Sequence, residues 1–322
     1  MAKRRGLGRT GIEVTPVGLG CWQFSSGQGM AGRYWETLAQ PVMNEIVRVS
    51  VEGGVNWFDT AEMYGNGASE RALAAALTAA GKANGDGVVA TKWFPLFRSA
   101  RSIKATIGTR LECLAPYGID LHQVHQPVGF SSVEAEMAAM ADLVAERKIR
   151  SVGVSNFSAA RMRRAHAALA SRGLPLASNQ VRYSLLDRRI ESNGTMAAAK
   201  ELGVTIIAYS PLAQGLLSGA YHANPGYVKT RPGPRKVMGP FRAGGLDRSR
   251  PLIEELGKIA AAHGATTSQV ALAWLCAFHG DTVVVIPGAS RPRQAAENLG
   301  AMNLALSKAE LAKIDELSRR FM

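Results

Sequence analysis

Asp59 and Tyr64 are the first residues in the chain whose types and spacing could do chemistry together. They lie in the stretch Gly53-Gly54-Val55-Asn56-Trp57-Phe58-Asp59-Thr60-Ala61-Glu62-Met63-Tyr64-Gly65. Residues 55–58 are apolar and aromatic enough to be a buried strand, which then stops at a carboxylate. A loop tyrosine follows, so two titratable groups would share one mouth. A tyrosine gives a proton to a carbonyl oxygen most readily when its pKa, ordinarily about 10, moves toward neutrality. A shift of ~3 units takes ~4 kcal/mol of preferential phenolate stabilisation, which a nearby ammonium supplies. The chemistry therefore calls for a lysine at a neighbouring strand end. Taken alone, the pair also has a plainer reading, with Asp59 capping a helix and Tyr64 on a rim.

The elements that must position these groups recur regularly. Residues 6–17 read as a β-hairpin around Thr10-Gly11, and 17–22 as a first inner strand. That strand contains Gly-x-Gly, but Gln23 stands where a dinucleotide fingerprint needs its third glycine, and no helix opens there. Further strands are expected at 55–58, 87–92, 119–125, 149–154, 176–181, 204–209 and 282–286. Helical spacing falls between them, at 42–51, 70–77, 103–111, 133–144, 159–168 and 196–202. A loop at 211–250 precedes helices at 252–262 and 268–278, and helices follow the last strand at 293–302 and after Ser307. Capping boxes are read at Ser131-Ser132-Val133-Glu134, Thr266-x-x-Gln269 and Ser307-x-x-Glu310. The last of these helices would bury Leu311, Ile314 and Leu317. Eight strand–helix units without a linker predict an α/β fold of one domain over 1–322, a closed (β/α)8 TIM barrel. The hairpin, about residues 6–16, would cap its N-terminal end; the loop at about 211–250 and the extra C-terminal helices are additions.

Barrel enzymes place their chemistry at the C-terminal strand ends. Those ends carry Asp59, Lys92, His125, Ser155-Asn156, Asn179-Gln180, Tyr209-Ser210 and Ile286-Pro287-Gly288. Polar residues ending one apolar strand after another describe a lined mouth. Lys92 beside Tyr64 would lower the phenol's pKa, and Asp59 would hold Lys92 charged and in place. His125 could orient a carbonyl oxygen. Ser155, Asn156 and Gln180 suit a planar carboxamide, and Tyr209 offers a face on which a ring can stack. A ring bearing a carboxamide is a nicotinamide.

Composition sets the bounds. The 322 residues are 47% hydrophobic and 20% charged, as in ordinary globular proteins. No apolar run spans a bilayer, and no hydrophobic core of a signal peptide follows the basic start, so a cytoplasmic location and no membrane partner are expected. Cys21, Cys113 and Cys276 are scattered, which indicates neither disulfides nor zinc; Cys21 falls where it could line the mouth. The net charge of +13 raises a polyanionic partner, but no nucleic-acid motif accompanies it. The densest basic stretch, with Arg231, Arg235 and Lys236, suits a cofactor or substrate phosphate.

The chain resembles the aldo-keto reductases. The likeness is carried by Arg5-Gly6-Leu7-Gly8-Arg9-Thr10-Gly11, the stretch from Asn56 to Gly65, Ala90-Thr91-Lys92, Gly153-Val154-Ser155-Asn156-Phe157, Ala208-Tyr209-Ser210-Pro211-Leu212 and Ile286-Pro287-Gly288. The resemblance implies a catalytic tetrad of Asp59, Tyr64, Lys92 and His125, needing no metal. It implies that Ser155, Asn156 and Gln180 bind the nicotinamide carboxamide while Tyr209 stacks on the ring. Ser210, Leu212, Gly215 and Leu217 would line the pyrophosphate. Gly288, Ser290, Arg291, Gln294, Glu297 and Asn298 would surround the adenosine end. Gly288 stands where many mammalian members have a lysine for the adenosine 2′-phosphate, and Arg291 and Arg293 could serve instead. The implied reaction is reduction of a small-molecule aldehyde, ketone or sugar carbonyl by NADPH, with NADP favoured over NAD. Trp22, Trp93, Phe94 and Phe241 are expected to make the substrate pocket aromatic, and His122 to be a packing residue. A monomer is the default. The alternatives are an NAD(P)-dependent sugar or polyol dehydrogenase, a cofactor-holding regulatory subunit like the potassium-channel β subunits, and a nucleic-acid binder.

Overall fold

A short antiparallel hairpin, β1 (Arg5–Gly6) and β2 (Glu13–Val14), precedes eight parallel strands. These are β3 (Leu19–Gly20), β4 (Trp57–Asp59), β5 (Val88–Trp93), β6 (Ile119–Val124), β7 (Ile149–Ser155), β8 (Leu176–Arg182), β9 (Thr205–Tyr209) and β10 (Val283–Val285). The computed structural model describes residues 3–27, 34–230 and 234–322, with the backbone alone at 234 and 236. Each strand pairs with its neighbour in sequence, from β3 to β10. The sheet closes on itself: the Gly18 N–H donates to the Val285 carbonyl at 2.8 Å, and the Val285 N–H to that of Pro16 at 2.9 Å. This is the expected (β/α)8 barrel. β3 and β10 are shorter than the sequence suggested because Pro16 and Pro287 flank them and lack the N–H a ladder requires.

Both faces of the strands are buried, as parallel strands require. Inward-facing Trp57, Val88, Ala90, Leu121, Ile207 and Val284 form the barrel floor, and Leu7, Ile12 and Val14 of the hairpin seal it from below. Gly18 allows this packing, since a Cβ there would lie 2.3 Å from the Trp57 indole. Outward-facing Val89, Val124, Val152 and Ile206 pack against helix residues such as Leu73, Ile107, Met140 and Leu272.

Four helices begin where a short polar side chain, Ser132, Ser158, Thr266 or Ser307, satisfies a free N–H group. The boxes at Thr266–Gln269 and Ser307–Glu310 are both formed. The third cap lies one residue later than expected: Ser132, not Ser131, caps helix Val133–Ala145, while the Ser131 hydroxyl accepts from the Ala100 N–H at 2.9 Å. The helix expected from 252 begins earlier, at Ala243–Ala262, although Gly244, Gly245 and Pro251 read as loop. Burial of Leu246 and Ser249 outweighs the local propensity there. The C-terminal helix Lys308–Ser318 is latched by buried Arg188, which pairs with Asp315 at 2.7 Å and Glu191 at 2.6 Å and donates to the Ser318 hydroxyl at 2.7 Å. Among the described residues no helix is long and apolar enough to cross a membrane.

Candidate active site

The alternation of each strand carries apolar residues at the floor and polar residues at the rim. Trp57 leads to Asp59 on β4, Ala90 to Lys92 on β5, and Leu121 to Gln123 and then His125 from β6. Lys92 Nζ lies 2.5 Å from Asp59 Oδ2 and donates also to the Thr60 carbonyl at 2.8 Å. Asp59 Oδ1 accepts from Gln180 Nε2 at 2.8 Å and from Gln123 Nε2 at 3.2 Å. Tyr64 stands above this ion pair, with Lys92 Nζ 5.0 Å from its ring centroid. Trp22 stacks on one side of Tyr64 at 6.0 Å, and His125 meets it edge-on at 5.8 Å.

The structure corrects the expected electrostatics. Burial dominates at Tyr64 and raises its phenol above the ordinary value; Lys92 pulls the other way without winning. Burial disfavours the Lys92 ammonium, but Asp59 and Tyr64 outweigh it and hold the group above its usual range. Burial and then Lys92 push His125 well below 6.5, so its imidazole is neutral. His122 is buried on the outer face of β6 and lowered to about 3, as suits a packing residue.

A cleft of about 760 Å³ runs from this cluster across the mouth. At its inner end lie Ser155, Asn156, Gln180 and Tyr209. They already bond one another: Ser155 Oγ donates to the Gln180 carbonyl at 2.8 Å, and the Tyr209 hydroxyl to Asn156 Oδ1 at 3.0 Å. Ser210, Leu212 and Gly215 line the middle, but Leu217 does not; its side chain is turned into the hydrophobic core. Gly288, Ser290, Arg291, Gln294, Glu297 and Asn298 line the far end together with Arg293. There Gln294 accepts from the Ser290 N–H at 2.9 Å, and Glu297 from the Thr266 hydroxyl at 2.7 Å. Asn156, Ser210 and Gln214, which line this cleft, hold left-handed backbone at φ +59°, +51° and +58°.

This donor set fits a dinucleotide, with amides and an aromatic face at one end and two guanidinium groups at the other. The wall between has an acceptor without an internal partner: Gln23 Oε1 is buried and makes no hydrogen bond among the described residues. Gln23 packs so closely on Gly288 that a Cβ at 288 would lie 2.2 Å from its Nε2. The space a side chain at 288 would use is thus taken by Gln23. Among the described residues no cluster of His, Cys, Asp or Glu is placed to hold a metal ion.

Of the aromatic residues expected at the substrate pocket, Trp22 lines the cleft and Phe94 faces the His125 ring at 5.7 Å. Trp93 does not, because Lys92 points inward and the next residue must point out; its indole donates to Ser102 Oγ at 3.0 Å. Phe241 is buried against Tyr221 instead. Cys21 borders the cleft, fully buried, and burial raises its thiol well above the ordinary value. Sequence reasoning missed Gln123, although the alternation Leu121, Gln123, His125 pointed to it. It also missed Tyr34 and Trp35, which no local pattern marks. Tyr34 hydrogen-bonds Gln214, and the Arg235 guanidinium lies 4.5 Å from the Trp35 ring. Arg231 and the side chain of Lys236 fall outside the described residues.

Comparison with known proteins agrees with this geometry. The model of the Aldo/keto reductase family matches residues 16–319. An uncharacterized oxidoreductase of Mycobacterium bovis is 39% identical over 96% of this chain and 91% of its own length. An aldo-keto reductase of Strobilurus tenacellus is 32% identical over 95% of this chain and 89% of its own. Among solved structures, a thermostable aldo-keto reductase in complex with the inhibitor epalrestat superposes with a TM-score of 0.78, at 29% identity over 98% of this chain and 99% of that one. An aldo-keto reductase from Klebsiella pneumoniae in complex with NADPH gives 0.74, at 25% identity over 98% and 95%. A closed barrel, a buried lysine–aspartate pair beneath a tyrosine and a match along nearly the whole chain place this oxidoreductase in the aldo/keto reductase family.

Proposed function

We propose that the protein reduces aldehydes and ketones to alcohols with NADPH, and that Tyr64 is the proton donor. The observation that carries this reading is the Lys92–Asp59 ion pair buried directly below Tyr64, at one end of a cleft shaped for a dinucleotide. A bound NADPH supplies the hydride. The chain's own groups do the rest. Tyr64, neutral because burial raises its phenol, donates its proton to the carbonyl oxygen. The Lys92 ammonium stabilises the phenolate left behind, and Asp59 keeps Lys92 charged and aimed. Neutral His125 orients the oxygen by hydrogen bonding. Trp22 beside Tyr64 gives the substrate an apolar wall.

Arg291 and Arg293 at the far end support NADPH over NADH, since a guanidinium pairs well with a 2′-phosphate. The NADPH complex of the Klebsiella pneumoniae relative supports the same choice. The test is a panel of aldehydes, ketones and sugars with NADPH, followed by loss of nicotinamide absorbance, in the parent and in Tyr64→Phe. The variant should bind NADPH as the parent does, read by tryptophan quenching, and lose about 10²- to 10⁴-fold in turnover. Parent-like turnover in Tyr64→Phe would remove Tyr64 from the mechanism.

A further inference from the structure

Two carboxylates flank Tyr64 in sequence, Glu62 before it and Glu70 after it, and neither belongs to the reacting set. Glu62 Oε1 accepts from the Phe94 N–H at 2.5 Å and from Arg98 Nη1 at 2.5 Å. The Glu62 N–H donates to the Lys92 carbonyl at 3.3 Å. Glu70 is fully buried in the first turn of helix Ala68–Ala79. It accepts from the Thr91 hydroxyl at 2.6 Å and pairs with Arg110 at 2.6 Å. Arg110 also faces Glu62, its Nε lying 4.0 Å from Glu62 Oε2, a charge contact without a hydrogen bond.

The pattern is reciprocal. Acids on both sides of Tyr64 grip residues on both sides of Lys92, and one buried guanidinium faces both acids. The Tyr64 main chain makes no bond to β5 among the described residues: its N–H donates to the Ala61 carbonyl and its carbonyl accepts from the Ser69 N–H at the start of the following helix, both at 3.1 Å. Glu62 and Glu70 are therefore side chains that tie this loop to β5. Burying such charges adds little net stability. The cost is visible at Glu70, where burial lifts the carboxyl to about 7 in spite of Arg110.

We propose that Glu62, braced by Arg98 and by the Arg110–Glu70 pair, is a positioning residue that holds the Tyr64 hydroxyl against the Lys92 ammonium. The inference rests on the reading of Tyr64 as proton donor given above. A displacement of about 1 Å at a reacting group can cost about 100-fold in rate, which makes such a brace worth keeping.

The test is Glu62→Gln, which keeps the size and the acceptor for Phe94 but removes the charge that Arg98 and Arg110 face. Turnover should fall about 10- to 100-fold while the NADPH dissociation constant stays within about twofold. In a Tyr64→Phe background the same change should cost nothing further, because the brace then has no proton donor to align. A crystal structure of Glu62→Gln should show the Tyr64 ring displaced from its 5.0 Å position over Lys92 Nζ. Unchanged turnover, an equal loss in both backgrounds, or an unmoved ring would each overturn the proposal. If the parent itself reduces no carbonyl, the functional reading has failed separately. The crystal structure then decides whether Glu62 positions the ring.

Discussion

Removing Lys92 should separate what the buried ion pair does for folding from what it does for chemistry. Lys92 and Asp59 are 0% and 2% exposed and 2.5 Å apart. In Lys92→Met the Asp59 carboxylate keeps the amides of Gln180 and Gln123 but loses the ammonium. Stranding one member of a buried pair costs about 3–5 kcal/mol. At roughly 2 °C per kcal/mol for a domain of this size, the melting temperature should fall by about 6–10 °C. Adding Asp59→Asn removes the second charge as well. The desolvation of both ions then disappears together with their attraction, so the double variant should regain most of the lost stability. It should not regain activity, since Tyr64 is left without the ammonium that takes up its developing charge. The assay is thermal unfolding of the cofactor-free protein, paired with NADPH-dependent turnover. A double variant melting at or below the single one would show that the pair is kept for stability. Parent-like turnover in Lys92→Met would refute its chemical role.

Three more outcomes follow from particular contacts. Because the Tyr64 phenol is raised, carbonyl reduction should hold from neutral pH to about pH 10 and fall only above it, while alcohol oxidation rises over that upper range as the phenolate forms; a fall in reduction between neutrality and about pH 10 would contradict this. Arg291→Ala combined with Arg293→Ala should weaken NADPH binding by about 10-fold or more and leave NADH binding unchanged, read by fluorescence titration. Equal losses for both cofactors would mean that neither residue reads the phosphate. Arg188→Met should leave Glu191 with the Tyr183 hydroxyl and Asp315 with Arg319, cost about 1–3 kcal/mol and expose the Lys308–Ser318 helix to limited proteolysis. A helix that stays protected would show that the packing of Leu311, Ile314 and Leu317, with the Trp274 bond to the Leu311 carbonyl, is enough to hold it.

Much of the molecule was legible in the chain. Short strands alternating with amphipathic helices specify a barrel, because apolar runs with both faces covered have few other ways to bury themselves. Strand alternation specified which polar residues end at the mouth, so Asp59, Lys92 and His125 could be read as neighbours. The same rule marks Gln123 as inward and Trp93 as outward, and applying it through would have corrected both. Capping residues fixed the helix starts at Thr266 and Ser307, while neighbouring serines at 131 and 132 offered two equivalent caps and the helix from Ala243 has no capping side chain to mark it.

What the sequence by itself determined was thus whatever depends on period and local hydrogen bonding. The tertiary structure decided whatever depends on distance through space. Whether burial or Lys92 governs the Tyr64 phenol is a balance of desolvation against Coulomb attraction, and only the packed site settles its sign. The Glu62–Arg110–Glu70 bridge joins residues from three separate segments, and no spacing along a chain encodes such a closure. The same holds for Tyr34 and Trp35, which meet Gln214 and Arg235 across the cleft only because the barrel brings its first and seventh loops together.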